Sequence, residues 1–221
     1  MATKILITND DGIDAPGIKV LAEGLSELGE LTVVAPDREQ SASGHSLTLQ
    51  RPLRISKRAA GWYAVDGTPT DCVFLGVNHL MRQEAPDLVI SGINRGGNLG
   101  DDITYSGTVS AAFEATLLGI PAIAISLEYK SDFNFSTAVK VAREVAEKVI
   151  RDGMPSDTLL NVNVPDLPWD ELSGFRVTRQ GKRCYSDVVR ENHDPRGRRY
   201  YWIAGEVLKG DELAGTDATE V

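Results

Sequence analysis

Cysteine is scarce in this chain of 221 residues: Cys72 and Cys184 lie far apart and form no C-x-x-C pair. That spacing does not suggest a disulfide framework or a cysteine-based zinc site, and it predicts ordinary thiols in a reducing cytosol. No apolar run approaches the roughly 18 residues that a membrane span requires. The N-terminus, "MATKILIT", runs straight into a strand-like segment with no charged leader, so no secretory signal is expected and the expected location is cytoplasmic. Positive charge is also in deficit. The 23 Lys and Arg against 32 Asp and Glu leave a net charge of −9, which argues against a protein that coats duplex nucleic acid.

Several catalytic signatures are missing as well. There is no G-x-x-x-x-G-K-[ST], so P-loop chemistry is unsupported, and "GGNLG" is not the dinucleotide fingerprint G-x-G-x-x-G. No G-x-S-x-G elbow marks an α/β-hydrolase. His45, His79 and His193 stand outside any H-E-x-x-H context. One segment departs from the overall acidity. Arg176 to Arg199 holds eight Lys and Arg against Asp187, Glu191 and Asp194, which reads either as a subunit contact or as a polyanion-facing patch.

What is present is an alternation of strand and helix patterns. "KILIT", "LTVVAP", "DLVIS", "PAIAISL" and "TLLNVNVP" are short apolar runs of strand length. Helical spacing joins Ile18, Leu21, Leu25 and Leu28, with Asp14 as the expected N-cap and Gly29 as the expected stop. "TPTDCVFLGVNHLM" starts as a capped helix, with Thr68 at the cap, Pro69 in the first turn and Asp71 reaching back. "SGTVSAAFEATLLG" predicts a further helix with Val109, Ala112, Phe113, Thr116 and Leu117 on one side. The clearest amphipathic stripe runs from about residue 134 to 153. "SLTLQRPLRIS" and "WYAVDG" read as shorter, half-exposed strands. Such alternation predicts an α/β fold with a mostly parallel sheet covered on both faces. After Pro165 the pattern changes to extended hairpins, "FRVTRQ" and "RRYYWIAG". The expected organisation is therefore a catalytic domain over 1–165 and a hairpin appendage over 166–221.

In open parallel sheets, ligands bind beyond the carboxyl ends of the strands. Three polar loops leave such ends: "TNDDG", "DREQSASG" and "SGINRGGNLGDDITYSGT". If they meet, the inventory is Asp10, Asp11, Ser41, Asn94, Asn98, Ser106 and Thr108, all oxygen donors. Oxygen ligands without His or Cys suit a hard divalent cation such as Mg²⁺ or Mn²⁺. Such an ion would also offset the repulsion between the adjacent Asp10 and Asp11. Taken alone, "NDDG" is equally an ordinary turn or helix cap. Ser106, Gly107 and Thr108 stand at a helix start, where unpaired N–H groups and the helix dipole attract an anion, although Ser106 also suits a plain N-cap. His45, in the loop after Ser41, is a candidate for proton transfer or substrate contact. Asn9 occupies the position of the nucleophile in phosphatases that form a phospho-aspartate, and an amide cannot serve that role. What remains is a metal-activated water attacking phosphorus, with Asp10 or Asp11 orienting or deprotonating it. A non-catalytic nucleotide- or polyphosphate-binding module would use the same anion site.

The ordered motifs "ILITNDDGIDAPGI", "VVAPDREQSASGHSLTL", "VDGTPTDCVFLGVN", "PDLVISGINRGGNLGDDITYSGTVSAAFEA" and "GIPAIAISL" resemble the stationary-phase survival protein E (SurE) family. The resemblance covers most of the chain from Lys4 to Leu127. It implies a Rossmann-like three-layer domain and a divalent-metal-dependent 5′-nucleotidase, with 3′-nucleotides and short polyphosphate as further substrates. It also implies that Asp10, Asp11, Ser41 and Asn94 are metal ligands, and that Asn98, Ser106, Gly107 and Thr108 line the phosphate site. Similar proteins form homodimers and homotetramers through C-terminal hairpins and tails. They usually continue past a segment like "GTDATEV" into another strand and helix, so the tail of the present sequence is expected to be incomplete at Val221.

Overall fold

"KILIT" folds as β1 (Lys4–Thr8), and its period-two pattern sends side chains to two separate cores. Ile5 and Ile7 join one apolar cluster, and Leu6 joins the other on the opposite face. All three are fully buried, each stabilising the fold by roughly 1.5–3 kcal/mol relative to exposure. In this computed structural model the chain is described over residues 2–128, 134–186, 188–204, 207–210 and 213–221, with backbone alone at 184, 204 and 207–210. Internal contacts divide it into two compact units, Met1–Asn98 with Ile103–Ser173, and Leu99–Asp102 with Gly174–Val221.

The first unit is built on seven strands in the order β3-β4-β2-β1-β5-β6-β7. The remaining strands are β2 (Glu30–Pro36), β3 (Ile55–Ala59), β4 (Trp62–Val65), β5 (Leu88–Arg95), β6 (Ala122–Glu128) and β7 (Leu159–Pro165). All pairings are parallel except that of β3 with β4. Helices α1 (Pro16–Leu25) and α4 (Ser136–Asp152) bury Ile18, Leu21, Ala138, Ala142 and Ala146 against the Ile5 and Ile7 face. On the Leu6 face lie α2 (Pro69–Leu75) and α3 (Gly107–Leu117), with Cys72, Val73, Val109 and Ala112 in the core. The result is the mostly parallel three-layer α/β arrangement expected from the strand–helix alternation. No helix among the described residues is long and apolar enough to cross a membrane.

Local expectations fared unevenly. The capping box of α2 forms as expected, with Thr68 accepting from the Asp71 N–H and Asp71 accepting from the Thr68 N–H. Asp14 does not cap α1; Ala15 holds the cap position with no side-chain bond, and the helix ends at Leu25 rather than running to Gly29. In α3 the buried side is Val109, Ala111, Ala112 and Ala115, while Phe113 and Leu117 are exposed. Of "SLTLQRPLRIS", only the end enters β3. The reason lies in Thr48, whose N–H and hydroxyl both donate to the Asp71 carboxylate, at 2.8 and 2.6 Å, instead of to a neighbouring strand. Thr68 Oγ1 in turn donates to Ser46 O at 2.7 Å, so the α2 cap holds the 46–48 segment in place.

In the second unit, β8 (Arg183–Tyr185) pairs antiparallel with β11 (Val207–Gly210), and β9 (Val188–His193) with β10 (Arg199–Ala204). "FRVTRQ" contributes a single bridge, Arg179 with Thr216, rather than a strand. Buried Asp217 accepts from the backbone N–H groups of Gly100, Gly181 and Ala218 at 2.9, 2.7 and 2.8 Å, gathering three segments of this unit. The Cys184 side chain, Asp187 and Gly205 lie outside what is described.

Asp71 is the buried acceptor shared by the α2 cap and the 46–48 segment. Asp71→Ala strands the Thr48 and Thr68 donors, and it should lower the unfolding free energy by about 2–4 kcal/mol in denaturant titration.

Candidate active site

The strand order places β1 between β2 and β5. This is the point where the connections diverge to opposite sides, and a crevice opens beyond the strand ends. The loop after β1 turns tightly: Gly12 N–H donates to Asn9 Oδ1 at 3.1 Å, and Asn9 Nδ2 donates to Gly12 O at 3.0 Å. Asn9 is therefore spent on the turn. The loop after β2 is stitched to it, with Gln40 N–H donating to Asp10 O and Ile13 N–H to Pro36 O, both at 2.8 Å. Gly44 N–H donates to Tyr105 O at 3.1 Å, which brings the same loop to the start of α3. In β5 the ladder slips between Ser91 and Asn94. Gly92 there adopts φ +143° with its Cα pressed on β6; a Cβ would lie 2.4 Å from Ile125 O. Such a bulge re-aims the strand end that carries Asn94.

Asp10 is 5% exposed and accepts a hydrogen bond from the Thr108 hydroxyl on Oδ1. Burial pushes its carboxyl up from 3.8 to about 6, against the Thr108 hydrogen bond and with the Asp11 charge adding to the rise. The approach of α3 is close enough that a Cβ on Gly107 would meet Asp10 Cβ at 2.7 Å and Ser43 Oγ at 2.9 Å. Only glycine allows this contact. The Asp11 side chain is 7% exposed, with Oδ1 3.5 Å from Arg95 Nη2. Its carboxyl is also raised by burial; Arg95 opposes that shift and Glu39 adds to it. Asp11 Oδ2 is buried and has no hydrogen-bond partner, and the same holds for Ser43 Oγ.

The other expected site residues fall into two groups. Asp10, Gly107 and Thr108 are in contact, and Ser106 caps α3 by accepting from Val109 N–H at 3.1 Å. Ser41, one residue past the Gln40–Asp10 bond, instead donates to Glu39 Oε1 at 2.8 Å. Asn94 Nδ2 donates to Gly96 O at 2.7 Å, so the acceptor of its amide is Oδ1. Asn98 is committed to the scaffold: Nδ2 donates to Ser126 Oγ at 2.7 Å, its N–H to Asn163 Oδ1, and its carbonyl accepts from Asn161 and Asn163. His45 Nε2 lies 2.7 Å from Glu114 Oε2 on α3, and the ring stacks edge-on against Phe113. Sequence reasoning passed over Glu39, Ser43, Arg95 and Glu114. Arg95 follows Asn94 directly and Glu39 precedes Ser41 by two, so proximity in the chain was the available signal for both.

The donor set fits a hard divalent cation. Asp11 offers a buried carboxylate oxygen with no partner, Asp10 is held out of water beside it, and both carboxylates offer oxygen atoms of the kind such an ion takes. Among the described residues, no cluster of three or more His, Cys, Asp or Glu could hold a metal, so further ligands would be the neutral oxygens of Ser41 and Asn94 or water. The first turn of α3 adds backbone N–H groups that suit an anion.

Comparison with known proteins identifies the family. A family model described as Survival protein SurE matches residues 5–187. The 5′-nucleotidase SurE of Geobacter sulfurreducens is 59% identical over 214 residues, covering 96% of this chain and 81% of that relative. The protein of the same name from Geotalea uraniireducens is 57% identical over 219 residues, 99% of this chain and 88% of the relative. The crystal structure of the SurE protein from Aquifex aeolicus superposes with a TM-score of 0.85 at 49% identity, covering 97% of this chain and 87% of that one. The motif resemblance is thus borne out over nearly the whole sequence, and the chain belongs to the SurE family.

Proposed function

We propose that this chain is a divalent-metal-dependent phosphohydrolase that removes phosphate from nucleoside 5′-monophosphates, with 3′-nucleotides and short polyphosphate as further substrates. The observation that carries this reading is the unpartnered, buried Asp11 Oδ2 beside Asp10, directly against the first turn of α3. The names of the relatives support the nucleotidase activity. Asp10, Asp11, Ser41 and Asn94 would hold Mg²⁺ or Mn²⁺. The chemistry such an ion supplies there is a water of lowered pKa and a polarised phosphoryl group.

The residues of the chain do the rest. The backbone N–H groups of Gly107 and Thr108 face an incoming phosphoryl group with the positive end of the helix behind them. The Thr108 hydroxyl orients Asp10 rather than the substrate. Asp10 or Asp11 would orient or deprotonate the attacking water. Asn98 acts one step back, fixing its loop to β6 and β7.

We also propose a homodimer or homotetramer formed through the β9–β10 hairpin. Trp202 and Ile203 are 62% and 94% exposed there, a degree of apolar exposure that a second copy would cover. Cys72 is a free, fully buried thiol whose pKa burial drives upward, in keeping with a cytoplasmic protein.

Phosphate release from AMP or GMP should vanish in EDTA and return with Mg²⁺ or Mn²⁺. The double variant Asp10→Asn, Asp11→Asn should fall by at least roughly 10²-fold, and full activity in it would remove the metal assignment. Saturable AMP binding without turnover under any divalent ion would favour the binding-only module. A second measurement needs no substrate. Because the Asp10 pKa is raised, metal-free folded protein holds that proton more tightly than the unfolded chain. That contribution is complete below about pH 4 and is lost as pH rises through about 6. In EDTA, Asp10→Asn should therefore be more stable than wild type at pH 8 by on the order of 2–3 kcal/mol, with the gain shrinking towards pH 4 in denaturant titrations. For the hairpin, Ile203→Asp should shift the mass measured by light scattering to a smaller species.

A further inference from the structure

Two fully buried hydroxyls take no part in the chemistry proposed above. Thr8 closes β1 and Ser91 lies within β5, and both are wholly shielded from solvent. Thr8 Oγ1 and Ser91 Oγ each lack a hydrogen-bond partner among the described residues. Leaving a buried hydroxyl unpaired is costly, so nearly all such groups in folded proteins bond to protein or to ordered water. Here two of them are neighbours.

The strand ladder sets them side by side. Thr8 pairs in register with Ser91, and theirs is the final pair between β1 and β5. Alternate residues of a strand share a face. Thr8 therefore lies on the face of Leu6 and Ser91 on that of Val89, and both of those belong to the core cluster under α2 and α3. Adjacent strands stand about 4.8 Å apart. Two hydrogen bonds of about 2.8 Å through one water oxygen span roughly 4.5 Å. The hydroxyls do not bond each other, but their strands are spaced for one water between them. Small side chains occupy this layer: Ala124 is the β6 partner of Ser91, and Ala111 and Ala112 of α3 lie in the same cluster. Just past Ser91 the ladder with β6 loses its register, and past Thr8 the chain leaves β1 for the Asn9 turn. The neighbouring ladders thus break where the two hydroxyls stand.

We infer that Thr8 and Ser91 hold one buried water molecule, which bridges Thr8 Oγ1 to Ser91 Oγ inside the protein. Each hydroxyl can donate or accept one of the water's bonds, and two polar partners suffice for a buried water. A metal ion fits poorly, since neither hydroxyl is charged and hard cations gather about six oxygens or more. β1 runs on into Asp10 and Asp11, and β5 carries Asn94 near its end. The bridge therefore ties together, from within, the two strands that deliver those residues. Thr8 and Ser91 are positioning residues: they set the separation of the strand ends and touch no reacting group. The water site requires neither metal nor nucleotide.

Two measurements on the full chain test this. A crystal structure of the wild-type protein, at a resolution that shows ordered water, should place one density peak within hydrogen-bond distance of both Thr8 Oγ1 and Ser91 Oγ. Lack of that peak, or a peak ringed by six oxygens as a cation would be, overturns the inference. Urea titration then compares wild type with Thr8→Val, Ser91→Ala and the double variant. Thr8→Val keeps the shape of the side chain and removes the hydroxyl. With a shared water, each single variant should lower the urea midpoint by roughly 0.3–1 M, because the water and the other hydroxyl are left short of a bond. The double variant should fall no further than the larger single loss, since both act through one molecule. A dry pair behaves in the opposite way. Removing an unpaired hydroxyl would then raise the midpoint of Thr8→Val or leave it unchanged, and either result overturns the inference, as do losses that simply add. Should a variant fail to fold, the wild-type density decides. Neither measurement uses metal or nucleotide, so failure here leaves the proposed reaction standing, and loss of the metal reading leaves the water site standing.

Discussion

Two carboxylates held out of water at the end of the central strand are the constraint on which the rest of the site depends. Adjacent like charges in a buried position are unfavourable unless something compensates them. In this chain the compensation is partial: a hydroxyl from Thr108 for Asp10, and a loose, half-wet guanidinium for Asp11. One carboxylate oxygen remains without a partner. The strand end therefore carries an electrostatic deficit that a small, hard cation is suited to fill, and the fold keeps that deficit in place.

What keeps it in place is a set of short contacts among the loops, from backbone and side chains alike. Asn9 closes the turn after β1, and Gln40 ties the second loop to the carbonyl of Asp10 itself. Gly107 brings α3 within van der Waals reach of Asp10. Further out, Asp71 holds the 46–48 segment to the cap of α2, and the His45–Glu114 pair joins the same loop to α3. Polar side chains near the site also hold the frame: Asn98 and Asn163 lock a loop, and Asn9 locks a turn.

The legible part of the fold was the part governed by local pattern. Apolar runs marked the strands of the parallel sheet, and the Thr68–Asp71 box formed as read, because a capping box needs only residues three apart. Asp14 misled because Pro16 already pre-organises the first turn and Ala15 takes the cap position without a side-chain bond. The segment after Ser46 misled because its β-like composition was outweighed by a distant carboxylate, Asp71, that captured the donors of Thr48. Phe113 and Leu117 fell on the exposed side of α3, since small alanines, not large side chains, let that helix approach the sheet.

The sequence by itself determined the strand–helix alternation, the acidic balance and the chemical character of the loops, all of which depend on residue type and spacing along the chain. Only the tertiary structure decided which donors remain unsatisfied. That Thr108 donates to Asp10, that Asn98 donates to Ser126 and that Arg95 stands beside Asp11 depend on contacts between segments separated by tens of residues. The charge state of Asp10 belongs to the same class, because desolvation comes from how closely the first turn of α3 packs against it.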